Sequence, residues 1–102
     1  MEKSIAGKNI SVNEEGFMTD LGQWDREVAY EIAQQEGIEL TDEHFKILDY
    51  LQDQYRNDVP LTIRKVGKSG VVYIKGFYAL FPGGPLKKSS KIAGIPKPAS
   101  CI

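Results

Sequence analysis

Val71-Val72-Tyr73-Ile74-Lys75-Gly76-Phe77-Tyr78-Ala79-Leu80-Phe81-Pro82-Gly83-Gly84-Pro85 can be read in two ways. Val71 to Ile74 are β-branched or aromatic, and on local propensity alone they pass for a strand. Phe77, Tyr78, Leu80 and Phe81 carry enough apolar area to be core in either state. Phe81-Pro82-Gly83-Gly84-Pro85 is a definite break, after which Leu86 to Ala93 can form a short helix stopped by Gly94. A strand over Val71–Ile74 makes the chain a mixture of helix and sheet, whereas a helix leaves it mainly α.

Leu61 to Val66 can form a short helix opened by Pro60, and the segments upstream of it are better marked. Before it, Thr41 caps a longer helix, Leu40 and Phe45 stand where a hydrophobic staple forms, and Asp42 and Glu43 favour its positive end. Phe45, Leu48, Leu51 and Tyr55 make its buried stripe, and Asn57-Asp58-Val59-Pro60 ends it. Trp24, Val28, Ala29, Ile32 and Ala33 give a further helix one buried face, with Gly37 as its stop. Lys8 to Val12, the turn Asn13-Glu14-Glu15-Gly16, and Phe17-Met18 read as a short β-hairpin.

With 102 residues, 41% hydrophobic and 26% charged, the chain suits one domain with one modest core. No apolar run approaches the length of a membrane span, and Met1-Glu2-Lys3-Ser4 lacks the pattern of a secretory signal. The one cysteine, with no disulfide partner, fits a reducing cytoplasm. The formal net charge of -1 hides a partition. All 14 acidic side chains lie at or before Asp58, with five basic ones, and the eight basic residues from Arg64 to Lys97 have no acid among them. Either the two halves neutralise each other across their contact, or the basic half meets something anionic, a protein face or a nucleic acid.

Several motifs have plainer readings. Gly67-Lys68-Ser69 resembles the end of a phosphate-binding loop, but the glycine required five residues earlier is Thr62. Gly67-Lys68-Ser69-Gly70 matches the clamp of KH domains, yet a glycine-flanked turn among acidic helices accounts for it better. His44, the only histidine, has no cysteine or histidine nearby to build a zinc site and is expected as a partly exposed helix residue. Trp24 is expected as a core anchor. Asp20, Asp25, Glu27 and Glu31 read as a solvated face, with no pair marked out for acid/base work. No metal or cofactor is implied.

Cys101 stands apart. It is next to last, after Pro96-Lys97-Pro98, where a chain end is poorly placed to be packed away. The terminal carboxylate disfavours its thiolate and Lys97 favours it, so a partner's cationic pocket would complete its activation.

The ending is also where a family can be recognised. Phe81-Pro82-Gly83-Gly84-Pro85, then Lys91-Ile92-Ala93-Gly94-Ile95-Pro96-Lys97-Pro98 and the penultimate Cys101, closely resemble the C-terminal signature of the DsrC/TusE family. Glu15-Gly16-Phe17 with Leu21 and Trp24, and Gly37 to His44, resemble its N-terminal half. The resemblance implies a mainly α fold, a small helical bundle with an N-terminal β-hairpin, a helix-turn-helix-like element and a mobile C-terminal arm. It turns the reading around Val72 to Leu80 toward helix, and divides the chain into a domain over 1–94 and an arm over 95–102. The segment from Arg64 to Tyr73 is shorter than is usual for the family.

The two-cysteine members of that family carry a second thiol eleven residues before the penultimate one. Here that residue is Ser90. The resemblance therefore points to the TusE-type branch, in which the lone cysteine takes a persulfide sulfur from a TusBCD-like donor complex. It would relay that sulfur to an MnmA-like thiouridylase for 2-thiolation of the tRNA wobble uridine, as a carrier within a relay more than a stand-alone enzyme. Cys101 is then the sulfur-bearing residue, Gly94 a hinge, Pro96 and Pro98 stiffeners of the arm, and Lys91 and Lys97 contacts for the anionic sulfur or a partner's acidic rim. Two alternatives remain: a partner of a sulfite reductase or heterodisulfide-reductase-like complex, and a helix-turn-helix nucleic-acid-binding regulator.

Overall fold

The structure, a computed structural model, describes residues 1–98. It is mainly helical: strands β1 (Glu2–Ile5) and β2 (Lys8–Ser11) precede α1 (Arg26–Gln35), α2 (Asp42–Arg56), α3 (Ile63–Lys68), α4 (Ile74–Leu80) and α5 (Pro85–Ile92). The ambiguous stretch is helix, but only from Ile74; Val71 and Val72 lie in the connection and Tyr73 is the N-cap. Phe77 is the residue of α4 that is fully buried, and it stacks edge-on against Phe81 at 5.8 Å between ring centroids. Burial of these two rings outweighs the β propensity of the valines before them.

The hairpin lies one pairing earlier than expected. β1 and β2 are antiparallel, from Glu2 opposite Ser11 to Ile5 opposite Lys8, joined by Ala6 and Gly7 with φ of 54° and 76°. Both φ values are those of a type I′ turn, in which alanine is an unusual first residue. The expected Asn13–Gly16 turn exists as well, closed by Asn13 N–H to Phe17 O at 2.8 Å and a single bridge between Val12 and Met18.

The caps explain where the helices begin and end. Asp25 accepts from the Val28 amide at 2.9 Å and opens α1, and Thr62 accepts from the Lys65 amide at 3.0 Å and opens α3. α1 closes through Gly37 at φ 73°, with Ile38 N–H reaching back to Ala33 O at 2.8 Å. In α2, Phe45, Leu48 and Leu51 are buried as expected, joined by Ile47 and Gln52, whereas Tyr55 is 45% exposed because the last turn of the helix runs past the core.

α5 touches α1, α2 and α4, and its inner face of Pro85, Leu86, Ser89, Ser90 and Ile92 is buried. Placing α5 at the centre sets the path of everything after it. No helix among the described residues is long and apolar enough to cross a membrane.

Candidate functional site

Cys101 lies outside the described residues; the structure shows the platform from which the chain runs toward it. α5 ends in a Schellman turn. Gly94 N–H bonds to Lys91 O at 3.3 Å and Ile95 N–H to Ser90 O at 3.2 Å, with Gly94 at φ 76°. The carbonyls freed at this helix end are then taken by side chains from elsewhere. Trp24 Nε1–H donates to Ile92 O at 2.8 Å, and the buried Gln52 amide donates to Ala93 O at 2.8 Å. Each neutralises a backbone acceptor that burial would otherwise leave unsatisfied.

Gly94, expected as a hinge, is instead a fixed point. A Cβ at this position would come within 2.6 Å of the Trp24 ring and 3.1 Å of Met18 Sδ. Only glycine both accepts the left-handed φ and leaves room for the indole. Ile95, expected at the start of the arm, is 1% exposed and belongs to the core.

The next three residues lie along the domain. Pro96 and Pro98, with Ile95, line a groove of about 240 Å³ whose other walls include Tyr55, Val59 and Leu61. Lys97 Nζ pairs with Glu15 at 3.1 Å. Glu15 sits in the Asn13–Gly16 turn, where Asn13 Oδ1 accepts from the amides of Glu15 at 2.9 Å and Phe17 at 3.0 Å. Lys91 goes to the same loop: its Nζ stands 5.9 Å from the centroid of the Phe17 ring, and its stem runs close to Gly16. The structure thus brings Gly94, Lys91 and Lys97 together around the 15–17 turn and Trp24, with Pro96 and Pro98 on an adjoining groove.

Ser90 faces inward. It is fully buried in α5, and among the described residues its Oγ has no hydrogen-bond partner. A hydroxyl there retains the size of a small side chain but leaves a polar atom unsatisfied.

Trp24, Gln52 and Glu15 form the platform, and their roles were out of reach of local pattern. Trp24 is an anchor as expected, but it lies between a 3₁₀ turn (Leu21–Gln23) and α1, not on the helix. Gln52 stands out only as a polar position inside an apolar stripe, and Glu15 only as part of the Glu15-Gly16-Phe17 resemblance, which assigns it no role. Asp25 and Glu31, read as solvated, are structural: besides its cap Asp25 pairs with Lys8, and Glu31 accepts from the Ala6 amide at 2.9 Å.

His44 is another correction. It is 5% exposed: Nε2–H donates to Leu80 O at 2.8 Å, and Nδ1 accepts from the Thr41 amide at 3.1 Å. Nδ1 closes the first turn of α2 and Nε2 ties that helix to the end of α4, so it is a structural histidine.

Direct pairing between the two halves is limited among the described residues to one contact. Among the described residues, Lys97 is the one basic side chain of the second half that reaches a carboxylate; the other ion pairs are Lys8 with Asp25 and Lys46 with Glu43.

This platform can be compared with known proteins. The family described as DsrC like protein matches residues 4–102. The chain belongs to the DsrC-like family. It is 37% identical over 103 residues to the dissimilatory-type sulfite reductase subunit gamma of Nitratidesulfovibrio vulgaris, covering 99% of this chain and 98% of that one. It is 38% identical over 107 residues to the sulfurtransferase TusE of Salmonella typhimurium, covering 94% and 95%. The solution structure of Allochromatium vinosum DsrC superposes over the whole of both chains with a TM-score of 0.84 at 35% identity. The helical bundle with its N-terminal hairpin is thus the family's fold.

Proposed function

We propose that this DsrC-like chain is a sulfur carrier whose working group is Cys101. The observation that supports this most is the platform itself: the C-terminal segment is clamped as far as Ile95 by Trp24, Gln52 and the Schellman turn, and six residues later the chain presents its one thiol. Six residues reach at most about 20 Å from that clamp. A thiol tethered within that reach of a fixed base suits insertion into a partner's active site. Relatives named for sulfur transfer and for sulfite reduction support sulfur as the cargo.

The chemistry is an exchange. The Cys101 thiolate attacks the outer sulfur of a donor persulfide; the new S–S bond forms on Cys101 as the donor's own S–S bond breaks, and the donor cysteine leaves as a thiolate. No oxidant is consumed. The Cys101 persulfide then surrenders its outer sulfur to an acceptor by the same exchange. Because Ser90 stands where two-cysteine members carry a thiol, no internal disulfide can follow, and the sulfur leaves to another molecule.

The more specific reading is a TusBCD-like donor and an MnmA-like thiouridylase, ending in 2-thiolation of the tRNA wobble uridine. The single thiol favours it over service to a sulfite reductase, although the gamma-subunit relative is equally similar. Chase of labelled sulfur from a persulfide donor through Cys101 tests it. Label reaching tRNA only with the thiouridylase and intact Cys101 supports this route; label unaffected by Cys101→Ser contradicts it.

A further inference from the structure

We propose that the outer face of α3 and α4 is a docking surface for a protein partner with an acidic rim, a proposal that rests on the sulfur-carrier reading only in naming which proteins to test. The two helices cross tightly: a Cβ on Gly67 of α3 would come within 2.3 Å of Ile74 Cγ1 on α4. Around that crossing the side chains face solvent. Arg64 and Lys68, one turn apart on α3, are exposed, and so are Ile74, Lys75 and Tyr78 on α4. Ile74 is 44% exposed, Tyr78 45% and Tyr73, just before the helix, 85%.

An isoleucine and two tyrosines in the open, flanked by cations, have the make-up of an interface centre with a charged rim. Among the described residues, none of Arg64, Lys68 and Lys75 has a carboxylate within ion-pair distance. The charge is therefore available for long-range attraction, which accelerates encounter with an oppositely charged face. A protein fits better than a nucleic acid. Phosphates would meet the cations but offer nothing to cover Ile74, whereas the apolar centre of a protein interface does.

The test compares two charge reversals of equal size in the full chain. Arg64→Glu/Lys68→Glu/Lys75→Glu alters the face; Lys3→Glu/Arg56→Glu/Lys87→Glu alters exposed cations on other elements. Circular dichroism and a thermal melt establish that each folds, and neutral glutamine replacements substitute for any reversal that does not. Binding to the TusBCD-like donor and to the thiouridylase is read by calorimetry in a Cys101→Ser background, which needs no sulfur chemistry. The expected result is affinity for at least one of them weakened on the order of ten-fold by the face variant alone at low ionic strength, with the difference shrinking in high salt. Sulfur uptake from glutathione persulfide, which needs no docking, should be unchanged. Equal binding by both variants to both proteins overturns the proposal, as does loss confined to a tRNA transcript, which would make the face a nucleic-acid site. Failure of Cys101 to accept sulfur from any donor would sink the carrier reading and leave the binding result to stand or fall separately.

Discussion

The two glycines that a methyl group would crowd most, Gly94 and Gly67, mark opposite kinds of region. At Gly94 the obstacle is a half-buried indole fixed by its own hydrogen bond to Ile92 O, and the backbone has a left-handed φ. At Gly67 the obstacle is Ile74, a half-exposed side chain at an ordinary helical position. The first region is clamped by contacts from three other segments. The second is anchored in the core by Val66 and Phe77 and leaves its charges and its tyrosines outward. A carrier needs both: a base that sets where the thiol begins its reach, and an open face by which a partner can know it.

That contrast breaks most readily at Gly94. Gly94→Ala should cost roughly 3 kcal/mol, from left-handed strain and overpacking together, whereas Gly67→Ala should cost roughly 1–2 kcal/mol, since it carries no left-handed strain and alanine favours the helix, but the stiff β-branched Ile74 must leave its rotamer or the helices must part slightly. Urea denaturation of the two variants side by side measures the gap; equal costs would mean that Gly94 is not the fixed point described.

Ser90→Ala sharpens the clamped side with the opposite sign. Removing a buried hydroxyl without a partner should raise stability by about 1 kcal/mol. A drop in the denaturation midpoint would show that Ser90 Oγ has a partner that matters.

The smallest effect belongs to the hairpin. The hydrogen bond from Lys8, then the Val28 amide, hold the Asp25 carboxyl below its ordinary value, while the same bond to Asp25 raises Lys8. The Asp25 contribution is therefore present above the ordinary carboxylate pKa and lost as pH falls through the lowered one. The Lys8 contribution is present below the ordinary lysine value and lost as pH rises through the raised one. Asp25→Asn keeps a good N-cap but loses the ion pair, so its stability should track the parent at the lowest pH and fall slightly behind near neutrality. Both groups are exposed, which keeps the difference small. A constant offset across that range would assign Asp25 to capping alone.

Legibility followed the same divide between local and long-range causes. α1, α2 and α5 were readable because Gly37, Thr41 and Gly94 stop or start them through their own backbone chemistry. α4 was readable only through family resemblance, because Val71 to Ile74 favour a strand locally and the burial of Phe77 against Phe81 decides otherwise. β1 was missed: Glu2-Lys3-Ser4 has little strand character, and Ala6 is a poor turn residue. For the platform, Lys91, Lys97 and the prolines could be named from the C-terminal pattern. The residues that hold them could not, since Trp24 and Gln52 act on carbonyls 68 and 41 positions away. The hinge expected at Gly94 failed for the same reason: glycine signals permitted φ, and only the indole beside it shows that the freedom is spent on fit.

The most direct test is the mass of the full chain after incubation with a persulfide donor, followed by mapping of the modified peptide. One added sulfur on the peptide ending Cys101-Ile102, removable by reductant and absent in Cys101→Ser, is the predicted result. An unmodified Cys101, or the same gain in Cys101→Ser, would contradict the central claim.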